Sequence, residues 1–179
     1  SIKKATAEHI EVLQSTDPRD IAEFYKHQVA LAEKHGFVPF SYDFLHEQFS
    51  VFAADGQAVL LNAYQDTTLL ASAFVILYRS QAVYHYGIST EANARLPGSY
   101  ACQWAAIVAA QKRGMQNYNF WGIAPEHAKN HRFAGVTLFK KGFGGTEIQY
   151  LPAQDLILNS WHYYPAYYFE LLRKKLRRL

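Results

Sequence analysis

The sequence has 179 residues, of which half are apolar, and its 18 basic and 15 acidic residues give a formal net charge of +3. This length and composition suit one domain with a sizeable core and exclude a disordered or fibrous protein. Apolar stretches such as residues 69–78 are shorter than the roughly 20 residues that cross a bilayer, so we expect neither a transmembrane helix nor a secretory signal.

Two helices are predicted near the start of the chain. The STDP segment at 15–18 is typical of a helix start, and one apolar face continues from it to Gly36. Ser41 is predicted to begin a second, short helix that ends before the ADG segment at 54–56.

Three strands and a third helix follow. Residues 58–65, 68–78 and 82–89 have strand-like composition, and the turns between them are so short that we predict an antiparallel meander. A helix is predicted over residues 99–113, and it carries the single cysteine, Cys102. A lone cysteine cannot form an intrachain disulfide, so the sequence favours a reducing, cytoplasmic compartment.

The remaining sequence is predicted to contain a strand at 117–123, a further helix, two strands at 145–151 and 155–161, and a basic terminal helix. This order of elements predicts an α+β fold of the GNAT acyltransferase type, with a central, mostly antiparallel mixed sheet flanked by helices. In that fold the strand after the third helix separates from the meander and opens a cleft.

The segment RLPGSY at 95–100 occupies the place where GNAT enzymes usually bind the pyrophosphate of acyl-coenzyme A. Arg95 and Gly98 fit such a loop, but Tyr100 stands where a small residue lets phosphate approach the backbone. Coenzyme A is therefore disfavoured, and we expect no cofactor.

Longer motifs resemble the FemABX family, the tRNA-dependent aminoacyltransferases that build peptidoglycan cross-bridges. The run from YNFWGI at 118–123 to TLFKKGFGG at 137–145 is similar to the C-terminal core of the family, AEKHGF at 32–37 to a helix end, and YHYGIST at 84–90 to a strand. Family members usually carry two GNAT-like domains in tandem, and residues 1–179 resemble the second as a single domain.

The resemblance implies an aminoacyltransferase that moves an amino acid from aminoacyl-tRNA to the amine of a peptidoglycan precursor stem peptide, in cell-wall cross-bridge formation. The precursor would be nucleotide-linked or lipid-linked, and the protein would lie in the cytoplasm or at the inner face of the membrane. Two alternatives stay open. One is a GNAT-type N-acyltransferase, dependent on acyl-coenzyme A or tRNA, that acts on another amine, and the other is a non-catalytic half that needs a separate first GNAT-like domain.

The donor-side residue that the resemblance implies is the lysine of the FK motif, here Lys140. In the family this lysine lies at the mouth of a channel and steadies the aminoacyl-tRNA end, and the aromatic residue before it, here Phe139, packs beside it. A fixed cation can hold phosphate and stabilise a developing oxyanion, and Lys141 is a candidate second phosphate contact. The alternative is a solvated lysine pair at a helix end stopped by Gly142.

The acceptor side is implied by the strand motif YHYG. Tyr86 corresponds to the family tyrosine that faces the acceptor cleft, and we expect Tyr84 on the same face by alternation and His85 on the other. The alternative for either tyrosine is a core residue with a satisfied hydroxyl. Trp121 stands in place of a family glycine, and we expect it to narrow the cleft and contact the substrate.

Phe40 and Phe44 stand where some family members hold the nucleotide diphosphate of the precursor with arginine and tyrosine. Phenylalanine cannot pair with phosphate, and Asn119 replaces the usual acid of the family motif. These departures favour a lipid-linked precursor, a different amine acceptor, or acceptor contacts that lie on a first domain.

The end of the chain is strongly basic. Five of the 18 basic residues stand within its last seven positions, namely Arg173, Lys174, Lys175, Arg177 and Arg178. Such a tail suits tRNA phosphates or an anionic membrane surface. The alternative is that these cations only complement the dipole of their helix.

The sequence predicts neither a metal site nor a catalytic triad. His127 and His131 are four residues apart, but no third ligand follows with convincing spacing. Asp43 and Glu47 can share a helix face, where such a carboxylate pair is usually solvated. Positioning of the attacking amine is expected to suffice for transfer, without a protein base.

Overall fold

A computed structural model describes residues 2–125 and 133–176 of the chain. The chain divides into two units, residues 1–137 and 138–179. The helices and strands of the first unit are, in order, α1 (Ile2–Ala7), β1 (Glu11–Ser15), α2 (Ile21–His35), α3 (Tyr42–Ala54), β2 (Ala58–Gln65), β3 (Thr68–Tyr78), β4 (Gln81–Ser89), α4 (Gly98–Lys112) and β5 (Asn117–Asn119). The boundary between the units falls within α5 (Ala134–Lys141), and α6 (Ser160–Leu176) belongs to the second unit.

The first unit is built on a five-stranded sheet of order β1-β2-β3-β4-β5. The pairs β1/β2, β2/β3 and β3/β4 are antiparallel, and β5 is parallel to β4. The predicted meander is confirmed, with strand boundaries within one residue of those expected. A mostly antiparallel mixed sheet with helices on its faces is the predicted α+β architecture.

Helices cover both faces of this sheet. On one face α1 and α4 pack against β2 and β3, in a cluster that includes Leu61 and Cys102. On the other face α2 and α3 bury larger side chains, among them Phe24, Phe49 and Phe74. Because the central strands bury both faces, their sequences are almost continuous apolar runs.

Local signals set the helix boundaries. The Ser41 hydroxyl accepts a hydrogen bond from Phe44 N–H at 3.2 Å and caps α3, as predicted. The Asp17 side chain caps the short 3-10 turn that leads into α2. α2 ends at Gly36, whose φ of 69° lies in the left-handed region that glycine adopts at little cost.

Two elements near the start of the chain were not predicted. α1 contributes Ala5 to the cluster under α4, and β1 pairs with β2 from Glu11 opposite Tyr64 to Ser15 opposite Leu60. β1 has only five residues, and its exposed and half-buried positions do not alternate regularly. Such a short strand at a sheet edge gives almost no periodic signal.

The second unit differs from the sequence-based prediction. The strands predicted over 145–151 and 155–161 are wrong, because residues 144–157 contain neither helix nor strand and α6 begins at Ser160. Leu151, Leu156 and Leu158 are 90%, 86% and 88% exposed. Strand propensity describes how well a residue fits a half-buried sheet. A segment of high strand propensity forms no sheet unless a neighbouring strand pairs with it.

Candidate active site

β4 contains a β-bulge near its centre. Phe74 of β3 pairs with Tyr86, and the next residue, Val75, pairs with Tyr84, so His85 is the extra residue on β4. One inserted residue changes which face of the sheet the flanking side chains occupy. The bulge therefore decides which side chains of the YHYG motif come together.

The alternation predicted for this motif is wrong. Tyr84 packs into the cluster under α4, whereas Tyr86 packs against the cluster on the α2 and α3 side. His85 lies beside Tyr86, with ring centroids 4.0 Å apart. The physical reason is that strict alternation holds only where the pairing is regular.

Tyr84 supports the bulge from the α4 side of the sheet. A Cβ added to Gly87 would lie 1.7 Å from the Tyr84 hydroxyl oxygen, so the glycine leaves room for this ring. Burial raises the pKa of Tyr84 and keeps the hydroxyl neutral. The spacing of tyrosine and glycine in the motif is thus explained by packing.

β5 remains beside β4 over a short distance. It pairs with Gln81 to Val83, and the strand predicted over 117–123 is confirmed only for Asn117–Asn119. Beyond Val83, no strand of the described residues pairs with the outer edge of β4. Among the described strands, the outer edge of β4 is thus unpaired beyond Val83, where a cleft was predicted, and the bulge lies directly after this point.

Trp121 lies where the chain leaves the sheet. Its φ is 65°, in the left-handed region, which a bulky residue adopts at a cost of about 1–2 kcal/mol. The Asn119 side chain accepts a hydrogen bond from Trp121 N–H at 2.8 Å and holds this turn. The indole is 61% exposed, and its ring centroid is 6.2 Å from that of His85. A glycine, which the family motif has at this position, would adopt the same backbone freely.

Aromatic rings continue from the cleft to the start of α3. The ring centroids of Tyr86 and Phe40 are 5.4 Å apart, and Phe40 stacks on Phe44 at 4.9 Å. Both phenylalanines are exposed, although their side chains are large and apolar. We call Phe40, Phe44, His85, Tyr86 and Trp121 the aromatic cluster.

His85 is held by α3. Its Nε2 lies 3.1 Å from Oε1 of Gln48, and Nε2–H donates this hydrogen bond in the tautomer that leaves Nδ1 as an acceptor. Its ring also meets Phe74 edge to face at a centroid distance of 5.4 Å. Burial lowers the pKa of His85, so the imidazole is neutral at pH 7.

Neither His85 nor Gln48 was predicted as a site residue. They come together because the bulge turns His85 towards α3, and pairing irregularities of this kind are set by tertiary structure. The only sequence signal was Gly87, since a glycine inside a strand pattern often marks a bulge or a close approach.

The start of α4 is shaped by packing. A Cβ added to Gly98 would lie 2.4 Å from the Cβ of Leu70, so the approach of α4 to β3 requires glycine. The Asn93 side chain accepts a hydrogen bond from Ser99 N–H at 2.9 Å and occupies one of the free donors of the helix start. These contacts account for the glycine of RLPGSY without a pyrophosphate.

The predicted donor-side residues lie in the second unit, at the end of α5. Lys140 is half-buried, and burial lowers its pKa. Phe139 contacts Phe143 edge to face, with ring centroids 5.5 Å apart. Lys141 forms an ion pair with Glu147 at 2.5 Å. Their roles towards a substrate stay predictions.

The basic tail begins on the last turn of α6. Arg173 forms an ion pair at 2.5 Å with Glu170, three residues earlier on the helix. Lys174 and Lys175 are exposed. None of the helices in the described ranges combines the length and the hydropathy needed to cross a membrane.

Four residues considered from the sequence lie outside the described residues, namely Arg177 and Arg178 of the tail and the pair His127 and His131. Within residues 2–125 and 133–176, no three histidine, cysteine, aspartate or glutamate side chains are grouped closely enough to hold a metal ion.

The meander, the separating fifth strand and the two helix layers define the fold as that of GNAT acyltransferases. A predicted acetyltransferase from Clostridium acetobutylicum, solved with acetyl-CoA, matches with a TM-score of 0.61 and 12% identity over 84% of this chain and 99% of that chain. The crystal structure of FemX matches with a TM-score of 0.71 and 15% identity, over 79% of this chain and 52% of that chain. At such identities these likenesses show the fold alone.

The chain belongs to the FemAB family, whose model matches residues 3–170. Aminoacyltransferase FemA of Staphylococcus epidermidis is 34% identical over 82 residues, which are 46% of this chain and 20% of FemA. The aligned part thus spans about a fifth of that curated relative. The resemblance inferred from the motifs is confirmed, and the chain is a FemAB-family domain with a GNAT fold.

Proposed function

We propose that this chain is the second GNAT-like domain of an enzyme that transfers an amino acid from aminoacyl-tRNA to the side-chain amine of a peptidoglycan stem peptide. The match of the FemAB family to residues 3–170 carries the proposal. In the reaction, the amine attacks the ester carbonyl, an amide bond forms, and the ester bond to the tRNA ribose breaks. We place this reaction in the cytoplasm, at the inner face of the membrane when the precursor is lipid-linked.

Lys140 serves the donor in this proposal. A half-buried ammonium group is screened less by water, so it stabilises the oxyanion of the tetrahedral intermediate more strongly than an exposed one. Phe139 supports the end of α5 through its contact with Phe143. Lys141 already pairs with Glu147, so it contributes to phosphate binding only by exchanging that partner.

Tyr86 and Trp121 serve the acceptor, and Tyr84 acts indirectly by supporting the bulge. Phe40 and Phe44 stack on each other where a diphosphate clamp would need a cation. The phosphates of the precursor are therefore bound elsewhere, by a first GNAT-like domain or at the membrane surface. The tail from Arg173 onward contributes electrostatic attraction to tRNA or to anionic lipid.

A transfer assay tests the donor-side assignment. Labelled aminoacyl-tRNA and the muramyl-pentapeptide precursor, nucleotide-linked or lipid-linked, are incubated with the chain, alone and with a first GNAT-like domain supplied in trans. Lys140→Ala should lower kcat/KM about 100-fold, because removal of one oxyanion-stabilising group typically costs that much. Lys112→Ala, at an exposed position on α4, is the matched control. It should keep the kcat/KM of the parent chain, both alone and with the first domain.

Two outcomes would reject this function. Equal rates for Lys140→Ala and the parent chain would end the donor-side assignment. Absence of transfer in every combination, together with thermal stabilisation by coenzyme A and not by tRNA, would favour the acyl-coenzyme A alternative.

A further inference from the structure

The aromatic cluster adjoins an open surface of α3. This α3 surface is formed by Asp43, Phe44, Glu47, Gln48, Val51 and Phe52. Two of these residues contact the aromatic cluster, because Phe44 stacks on Phe40 and Gln48 lies 3.1 Å from His85. The α3 surface and the aromatic cluster are therefore adjacent.

The rim of the α3 surface carries two carboxylates. Glu47 has an ion-pair partner in His46 at 3.9 Å, and this partner is charged only when protonated. Asp43 forms no ion pair with a residue of the described ranges. Negative charge is thus available at the edge of an aromatic surface.

This combination favours one class of ligand. The faces of aromatic rings attract cations, and carboxylates at the rim strengthen that attraction. A nucleotide base would also stack on such rings, but the carboxylates repel the phosphates attached to it. A primary ammonium group on an alkyl chain satisfies both features, since its methylene groups pack on the rings while the nearby carboxylates attract its charge.

We infer that this surface binds the side-chain ammonium group of the acceptor and that His85 removes its proton before the attack. The inference rests on the proposed aminoacyl transfer. Nδ1 of the neutral imidazole takes one proton from the ammonium group and leaves a free amine. The amine attacks the ester carbonyl, its surplus proton passes to the departing ribose oxygen, and the imidazolium releases its proton to water.

The surroundings of His85 suit this role. The groups that contact its ring are all uncharged at neutral pH, and they are Gln48 from α3, Phe74 from β3, Tyr86 from β4 and Trp121 after β5. The charged groups on the adjoining face of α3 are Asp43 and Glu47, which attract the ammonium group. Burial lowers the pKa of His85, so it stays unprotonated at a pH where a lysine-type amine is protonated.

A binding experiment tests the ammonium site without an activity readout. The His85 pKa is measured by NMR titration of the 179-residue chain with three probes: Nα-acetyl-lysine methylamide, its uncharged norleucine counterpart, and alaninamide. The lysine probe should lower the measured pKa, because a bound cation disfavours imidazolium. The norleucine probe should not, and alaninamide, which mimics the α-ammonium group of the donor ester, should not either.

Variants sharpen this experiment. Asp43→Asn combined with Glu47→Gln should weaken binding of the lysine probe about tenfold, as expected for two exposed charge contacts. Glu33→Gln, at an exposed position on α2, removes the same kind of charge and should leave binding unchanged. Equal responses to the lysine and norleucine probes, a response to alaninamide alone, or no response at all would each overturn the inference.

Kinetics separate the inference from the proposed function. His85→Gln keeps a polar group near Gln48 but cannot accept the proton, so it should lower kcat about 100-fold, leave KM unchanged and remove the acidic limb of the pH profile. An unchanged rate in this variant would overturn the role of His85 and leave the transferase proposal standing. Lysine-probe binding without any transfer would reject the transferase proposal, and with it proton removal by His85, while the ammonium-binding site would stand. If the His85→Gln variant fails to fold, the NMR titration of the parent chain with the three probes still tests the inference.

Discussion

The hydroxyl oxygen of Tyr84 lies 1.7 Å from the point where a Cβ of Gly87 would be, so the tyrosine fills the space that the glycine leaves empty. The two residues stand on either side of the bulge in β4. Their contact on the α4 side fixes the backbone that brings His85 and Tyr86 together on the other side. A packing relationship in the core thus determines the composition of the cleft.

Gly87→Ala should therefore destabilise the protein by about 1–3 kcal/mol, the usual cost of overpacking a filled site. The measurement is the free energy of unfolding in urea. Gly135→Ala is a suitable comparison, because nothing lies within 4 Å of its added Cβ. If both variants were equally stable, the Tyr84 ring would not be fixed against Gly87.

Replacement of Trp121 should separate the effect of its backbone from that of its ring. Trp121→Gly and Trp121→Ala remove the same indole, but only glycine adopts a φ of 65° without strain. We expect the glycine variant to be more stable than the alanine variant by about 1 kcal/mol. Thermal unfolding of the pair gives this difference, and alanine proving the more stable would show that the turn relaxes once the ring is gone.

Tyr118→Phe should destabilise the first unit by about 1–3 kcal/mol. The Tyr118 hydroxyl donates a hydrogen bond at 2.8 Å to Oε1 of Gln103, which is only 1% exposed. Without that hydroxyl, the amide oxygen stays buried and unsatisfied. Tyr78→Phe, at an exposed position, makes the same chemical change and should have almost no effect on urea unfolding.

Cys102 should make stability fall at alkaline pH. Burial raises the pKa of its thiol from an ordinary value of about 9 to about 12. Above pH 9 the unfolded chain loses this proton while the folded chain keeps it, so the free energy of unfolding decreases as pH rises, by about 1.4 kcal/mol per pH unit at most. The contribution is complete below pH 9 and is lost towards pH 12.

Cys102→Ala isolates this contribution from those of the buried tyrosines. The stability difference between parent and variant should shrink by about 2 kcal/mol between pH 8 and pH 10.5. A difference that does not depend on pH would show that the thiol ionises as readily in the folded protein as in the unfolded chain.

The basic tail should influence binding to polyanions. Lys174→Gln combined with Lys175→Gln should lower the salt dependence of tRNA binding by about one unit of log–log slope for each lost phosphate contact. Lys3→Gln combined with Lys26→Gln changes net charge equally and should leave the slope as it was. Binding to anionic vesicles, measured in parallel, distinguishes lipid from tRNA. If the salt dependence of binding to tRNA and to vesicles were unchanged in the Lys174 and Lys175 variant, these lysines would only complement the dipole of α6.

Much of the first unit could be predicted because its elements carry their own local signals. The Ser41 cap, the Gly36 stop and the apolar runs of β2, β3 and β4 each act within a few residues. The family was inferred from the joint spacing of several motifs, and the match over residues 3–170 confirms it.

The cleft was harder to predict because its composition depends on pairing between distant segments. Regular alternation of side chains along β4 predicted His85 and Tyr86 on opposite faces of the sheet. Because the bulge inserts one residue, their rings lie side by side. Gln48 of α3 contacts His85 of β4, although the two residues are 37 positions apart in the sequence. In the second unit, residues 145–161 have the composition of strands, but composition does not supply the neighbouring strand that completes a sheet.

The exposed apolar side chains between residues 148 and 158 influence how the protein behaves in concentrated solution. Ile148, Tyr150 and Leu151 belong to a segment with neither helix nor strand, and its sequence has high strand propensity and little charge. Unpaired segments of this kind recruit equivalent segments of other molecules through backbone hydrogen bonds. We therefore expect the chain to self-associate as its concentration rises, and Leu151→Lys should raise the concentration at which it stays monomeric.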